Sequence, residues 1–365
     1  MRVALDTNAL YTTQAGVARY IRGLVRGFQE VDRPNLEVTE VAWKTENFEY
    51  AQPARALKTA YREFVWTSFV APQILRQLNP DILHSLSGFF VQPPAKIKNV
   101  VTLHDLAPIR FPERFRTWQR MARKWRFPAL HKVDAIICVS QFTADEAMKL
   151  LGLSADKLHV VHSGIDAGET KAVQEPELDL PDEFFLFVGS LEPGKNLTLL
   201  RDTYLTAEKE SGPLPPLLIV GARWEGVARE SEPPSNWKYL GRQPDQVLLQ
   251  LYRRARALVF PSKYEGFGFP VLEAQANNCP VICSRVASLP EIGGDGALYV
   301  DQTPTGYFTE CEKFSAMMIC DSNSWELVGQ TALNFLGRNV LLKQRISTTW
   351  FGHGLPVDWI VSEWQ

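Results

Sequence analysis

Short, continuously apolar runs rich in β-branched residues alternate with amphipathic helical patterns along most of this 365-residue chain. Strands covered on both faces read this way, whereas half-exposed strands alternate apolar and polar residues. The alternation breaks once, at DAGETKAVQEPELDLPDE (residues 166–183), which is acidic, punctuated by proline and without period. Together these features predict an α/β fold of two Rossmann-like domains facing each other across a cleft, each a doubly wound parallel sheet. The length suits two such cores better than one.

Taken in order, RVALD opens the first domain as a strand. A helix follows in GVARYIRGLVRGF, where Val17, Tyr20, Ile21, Leu24, Val25 and Phe28 form one apolar stripe and Arg19, Arg22 and Arg26 lie away from it. DILHS, NVVTLHD, AIICVS and KLHVVHSG complete the strands of a domain spanning residues 1–165. Beyond the 166–183 linker, FFLFVG, LLIVG, WKYLG, RALVFPS, PVICS and ALYVD supply the strands of a second domain, residues 184–345. SWELVGQTALNFL is compatible with a helix, and residues 346–365 form a divergent tail rich in tryptophan and glycine.

Composition narrows the function. A hydrophobic content of 45% and a charged content of 22% are ordinary for a soluble globular enzyme. A formal net charge of −2 gives no global field for nucleic acid, so any basic patch must be local. No apolar run approaches the roughly 18 residues that span a bilayer. MRVALDTNAL also lacks the basic-then-apolar order of a secretory signal, and a cytoplasmic setting is expected. Five cysteines without framework spacing predict reduced thiols, and Cys279 and Cys283, in CPVIC, read as core thiols rather than metal ligands. Neither half carries the glycine fingerprint of a dinucleotide fold, which weakens a redox reading.

Two strand–loop–helix turns carry chemistry. In FFLFVGSLEPGKNLTLLRD the strand ends at Gly189, the loop turns through Pro193 and Gly194, and Asn196 is placed to cap the next helix. Lys195 sits just before that cap, where helix amides and an ammonium together suit a phosphate; the plainer reading is a surface lysine. VFPSKYEGFGFPVLEAQAN has the same form, with Gly266 and Gly268 permitting close backbone approach and Pro270 suited to the first helical position. Glu265 and Glu273 look misplaced for holding an anion. Ionised carboxylates, however, accept hydrogen bonds from paired hydroxyls, so Glu265 could hold a hexose and Glu273 a ribose while amides hold a diphosphate. A nucleotide sugar contains all three parts. The competing view, Glu273 favouring a helix start and Glu265 solvated, leaves the two glycines without a purpose.

YEGFGFPVLEA, GSLEPGKN, CVSQFTADE followed by VHSGID, SLPEIGGDGALYVD, TLHDLAPIRFPE and AGVARYIRGL carry a resemblance to glycosyltransferase family 4. These are retaining enzymes of the GT-B fold, and the chain resembles them from residue 1 to about residue 301. Within the family it looks most like bacterial enzymes of surface-polysaccharide synthesis, many of them mannosyltransferases. The resemblance implies that Glu265 and the amides of Phe267 and Gly268 hold the donor sugar, beside Gly266, and that Glu273 holds the ribose. It implies that Lys195 neutralises the diphosphate, that Gly16 approaches it from the first domain, and that His104 faces the anomeric region. His104 and Glu265 are thus the expected catalytic residues. Many relatives place an arginine in the loop before the lysine; here Ser190 and Gly194 stand at the candidate positions, leaving Lys195 and backbone amides to carry the charge. After Asp301 relatives continue into helices, and little of that pattern is visible here.

RFPERFRTWQRMARKWRF, residues 110–127, has seven basic residues and one acid, with Phe115, Trp118 and Trp125 at near-helical spacing. Such a segment suits an anionic membrane surface or a lipid-linked acceptor, or else a solvated helix docked by its aromatics on the sheet. The expected activity is retaining transfer of a hexosyl group, mannose favoured, from a nucleoside-diphosphate sugar to a glycan or lipid-linked glycan hydroxyl. No metal is expected, because no D-x-D with suitable flanks ends a strand; no cofactor is expected, and no nucleic-acid partner, because no reading motif lies near the basic segment. A sugar-nucleotide epimerase and a non-catalytic nucleotide-sugar-binding subunit are the alternatives.

Overall fold

The computed structural model describes residues 1–11, 16–30, 35–44, 58, 61–87, 91–115, 120, 127–165, 179–223 and 232–317. These fall into two units, Met1–Gly164 and the residues from Ile165 onward. Each is built on one six-stranded sheet. In the first unit the strands are β1 (Arg2–Asp6), β2 (Glu37–Val41), β3 (Ile82–Ser85), β4 (Lys98–Leu103), β5 (Ala135–Cys138) and β6 (Leu158–Val160). They lie in the order β2-β1-β3-β4-β5-β6, every pair parallel. The second unit contains β7 (Phe185–Val188), β8 (Leu217–Val220), β9 (Trp237–Gly241), β10 (Ala257–Phe260), β11 (Val281–Ser284) and β12 (Leu298–Val300). Their order is β12-β11-β10-β7-β8-β9, again all parallel.

Both orders contain one reversal of winding direction, between β1 and β3 and between β7 and β10. Ligands of doubly wound sheets bind at the carboxyl ends of the strands flanking such a reversal. In the second unit the β7–β10 ladder joins only Phe185 to Ala257 and Leu186 to Leu258. The last two residues of each strand are left outside the ladder at the edge where the loops emerge.

β7 and Phe184 just before it explain why central strands read as unbroken apolar runs. Phe185 and Phe187 face one way, onto Leu200 and Tyr204 of helix Leu197–Glu210 and Tyr307 and Phe308 of helix Pro304–Met317. Phe184, Leu186 and Val188 face the other, onto Leu251 and Tyr252 of helix Asp245–Arg254 and Val271 and Ala274 of helix Phe269–Ala276. Each such side chain fully buried contributes about 1.5–3 kcal/mol relative to exposure, so a strand core of five cannot tolerate polar substitution on either face. Helix Gly16–Glu30 buries Tyr20, Ile21, Leu24 and Phe28 of its expected stripe, joined by Ala18 and Gly27, while Val17 and Val25 are half-buried.

Two elements depart from expectation. EVTEV forms β2, which sequence periodicity did not single out; it is an edge strand paired only with β1, and just Val41 is buried. The chain after Asp301 continues into helix Pro304–Met317, which buries Tyr307, Phe308 and Cys311. The predicted helix around SWELVGQTALNFL, the tail 346–365 and most of 110–127 lie outside the described residues. Cys138, Cys279, Cys283 and Cys311 are free, buried thiols. Burial pushes the first three up to about 12, and Cys311 is raised by the same cause.

Candidate active site

The loop after β7 is organised by a side chain the sequence did not flag. Glu192 is buried and accepts a hydrogen bond from the Gly194 amide at 2.7 Å, capping the short 3-10 turn Pro193–Lys195. Asn196, expected to cap the following helix, stands at the cap position in the left-handed region (φ 61°) and makes no side-chain cap. Asparagine tolerates that conformation, and the chain uses it to change direction. The main chain of this loop is tied to the one after β10, where the Lys263 amide donates to the Gly194 carbonyl at 2.8 Å.

That tie brings together two predicted residues separated by 70 positions. The Lys195 ammonium donates to Glu265 Oε1 in an ion pair whose side chains are only 17% and 12% exposed. Lys195 Nζ also lies 5.5 Å from the centroid of the Phe260 ring, an arrangement that favours a cation. Since Lys195 follows β7 and Glu265 follows β10, the pair spans the reversal in strand order. Close backbone packing continues on the other side of β7. At Gly221, φ is +147° and a Cβ would stand 1.8 Å from the Gly189 carbonyl oxygen, so only glycine fits.

Gly266, Phe267 and Gly268 are buried in the loop between Glu265 and helix Phe269–Ala276. Gly268 has φ +101°, and Pro270 takes the second helical position rather than the first. Glu273, one turn into this helix, is buried, and the Tyr252 hydroxyl donates to its Oε2 at 2.9 Å. A buried carboxylate needs such a donor, since a bare one costs several kcal/mol.

In the first unit Gly16 opens helix Gly16–Glu30 at an exposed position. Tyr20, one turn on, meets the His104 ring edge-on at 4.9 Å. His104 Nε2 donates to the carbonyl of Leu86, the residue after β3, at 2.9 Å. The helix after β1 and the ends of β3 and β4 therefore converge where that sheet reverses its order. Because a carbonyl can only accept, Nε2 carries the proton and Nδ1 is left as an acceptor. Burial lowers the His104 pKa, against the Leu86 hydrogen bond and the charge of Asp105, which raise it. Behind it, Tyr20 Oη and His84 Nε2 both lie within hydrogen-bonding distance of Thr102 Oγ1, at 3.1 and 2.9 Å. Burial, then the neighbouring His104, lowers His84 to about 3, so this imidazole is neutral. Among the described residues, no group of three or more His, Cys, Asp or Glu side chains could hold a metal ion. No described helix is long and apolar enough to cross a membrane.

Residues 15–169 match the family model described as Glycosyltransferase Family 4, and residues 169–318 match Glycosyl transferases group 1. O-antigen chain mannosyltransferase B of Escherichia coli is 33% identical over 245 residues, covering 62% of this chain and 63% of that protein. O-antigen chain mannosyltransferase RfbU of Salmonella typhimurium is 27% identical over 216 residues, 57% of this chain and 58% of its own length. The chain thus spans less than two thirds of each of these curated relatives. Among solved structures, sucrose-phosphate synthase from Thermosynechococcus elongatus superposes with TM-score 0.66 at 18% identity, over 97% of this chain and 100% of that one. Anabaena Alr3699/HepE, solved in complex with UDP and glucose, gives 0.60 at 15% identity, over 96% and 99%.

Proposed function

Because the chain belongs to the family 4 glycosyltransferases and has their two-domain GT-B fold, we propose that it transfers a hexosyl group from a nucleoside-diphosphate sugar to a hydroxyl of an acceptor glycan. Mannose is the favoured hexose, because the curated relatives named above are mannosyltransferases. The observation that carries the proposal is the Lys195–Glu265 pair at the strand-order reversal of the second unit. An ammonium and a carboxylate held together there match the two ends of a sugar diphosphate. On donor binding Lys195 turns to the diphosphate, and hexose hydroxyls replace it on Glu265. The Phe267 and Gly268 amides donate to the sugar, Glu273 accepts from the ribose, and His104 faces the anomeric region with Gly16 beside the diphosphate. Configuration is retained, as the family resemblance implies, with the departing phosphate assisting front-face attack and Glu265 holding the hexose rather than bonding to it. Incubation with a panel of GDP-, UDP-, dTDP- and ADP-sugars, with thermal shift and donor hydrolysis as readouts, tests this. A protein that neither binds nor turns over any of them is not a transferase of this kind.

We assign charge neutralisation to Lys195 and to amides, and so expect turnover to persist in EDTA. Activity lost in chelator and restored by Mg²⁺ or Mn²⁺ would overturn that assignment. A lipid-linked acceptor is part of the same reading, with residues 110–127 meeting an anionic bilayer. Salt-sensitive flotation with anionic vesicles is expected, abolished when Arg116, Arg120, Arg123 and Lys124 are neutralised together; equal flotation of both proteins counts against it.

A further inference from the structure

Ser288 stands immediately before helix Leu289–Gly293, where a serine hydroxyl ordinarily accepts a hydrogen bond from the helix amides. It makes no such cap, although it is fully buried. Its hydroxyl lies 2.9 Å from the carbonyl oxygens of both Glu265 and Phe267, its one proton shared between them. Its amide donates to the Glu265 carbonyl at 3.4 Å. The residue before it, Ala287, holds φ at +52°, a left-handed conformation that is unfavourable for a residue with a Cβ. The residue after it, Leu289, places Cδ2 where it would be 2.8 Å from a Cβ on Gly268. Strain, a forgone cap and a close contact all serve one end: holding Ser288 against the loop from Glu265 to Gly268.

Peptide planarity says what that contact does. In a trans peptide the N–H of one residue points opposite to the C=O of the residue before it. Pinning the Glu265 and Phe267 carbonyls toward Ser288 therefore turns the Gly266 and Gly268 amides to the opposite side. Without the pin, both peptide units could flip at little cost, because each leads into a glycine. We propose that Ser288 is a positioning residue for the donor sugar, fixing the peptide planes so that the Gly268 amide and the Glu265 carboxylate present to the same hexose. This rests on the donor reading of that loop given above.

Ser288→Ala and Ser288→Thr, beside the unsubstituted protein, decide it. Ser288→Ala is expected to lower kcat by about 10–100-fold, while KM for the donor and Kd for the nucleoside diphosphate change less than about 3-fold. Ser288→Thr, which keeps the hydroxyl, is expected to retain most of the rate. By hydrogen exchange, the loop amides of residues 264–268 in Ser288→Ala should exchange roughly ten times faster, with β10 and β11 unchanged. A kcat within twofold of the parent, or faster exchange in the strands together with an equal loss of nucleotide binding, overturns the proposal. If the parent binds no nucleoside diphosphate, the donor reading fails, while the exchange pattern still decides whether Ser288 pins the loop.

Discussion

Glu265→Gln is expected to lower kcat by about 100-fold or more while nucleoside-diphosphate binding becomes no weaker, and up to roughly tenfold tighter. The rate loss follows from the hexose contact: misorienting the anomeric carbon removes interactions that tighten in the transition state. The hexose role alone predicts unchanged affinity for the free nucleoside diphosphate, which lacks the sugar. The ion pair alters that expectation. In the parent, the diphosphate must compete with Glu265 for the Lys195 ammonium. Glutamine keeps the shape and removes the competitor. The ligand-free variant should be less stable, since a largely buried ammonium has lost its partner, and should regain stability when nucleotide binds. Calorimetry with the nucleoside diphosphate, thermal shift and steady-state kinetics measure the three effects. Weakened nucleotide binding in Glu265→Gln would reverse the assignment, making the carboxylate a structural support for the loop.

Glu273→Gln should produce the complementary pattern. The ribose does not react, so losing a charge-assisted hydrogen bond to it costs about 1.5–3 kcal/mol and raises donor KM and nucleoside-diphosphate Kd together by roughly 10–150-fold. kcat should change little. The Tyr252 hydroxyl can donate to a glutamine oxygen as it does to the carboxylate, so the helix should keep its place. If Glu273 matters only to packing, Glu273→Gln will lower thermal stability without separating binding from turnover. The contrast between the two glutamates is the sharper test, because one fold-level disturbance cannot raise affinity at one position and lower it at the other.

Most central strands were legible because parallel strands buried on both faces leave uninterrupted apolar runs, as FFLFV and RALVF do. β2 was not, because an edge strand with one buried residue leaves nothing but a short polar alternation. The helix after Asp301 was not legible either, because its buried stripe of Tyr307, Phe308 and Cys311 is short and sits among polar residues. The motifs single out the candidate residues one at a time. The Lys195–Glu265 pair could not, since it depends on β7 lying next to β10, a fact of strand order rather than of local sequence. Glu192 and Ser288 were hidden for a related reason: each acts on main-chain atoms, and a backbone partner has no residue type to recognise. Ser288 opens the motif SLPE, whose spacing says nothing about which carbonyls its hydroxyl reaches.

The buried thiols make the molecule a recorder of its own opening. Alkylating reagents attack thiolates, and Cys138, Cys279, Cys283 and Cys311 are both enclosed and held in the protonated form. Modification at these sites therefore waits on the surrounding structure coming apart. Cys138 belongs to the first unit and the other three to the second, so mass spectrometry of partly labelled chains distinguishes them by arithmetic: one adduct when the first unit opens, three when the second does. Cys320, outside the described residues, is counted separately by peptide. The chain thus carries a natural tally of which half yields first under heat or denaturant, and of whether an added nucleoside diphosphate slows the opening of either.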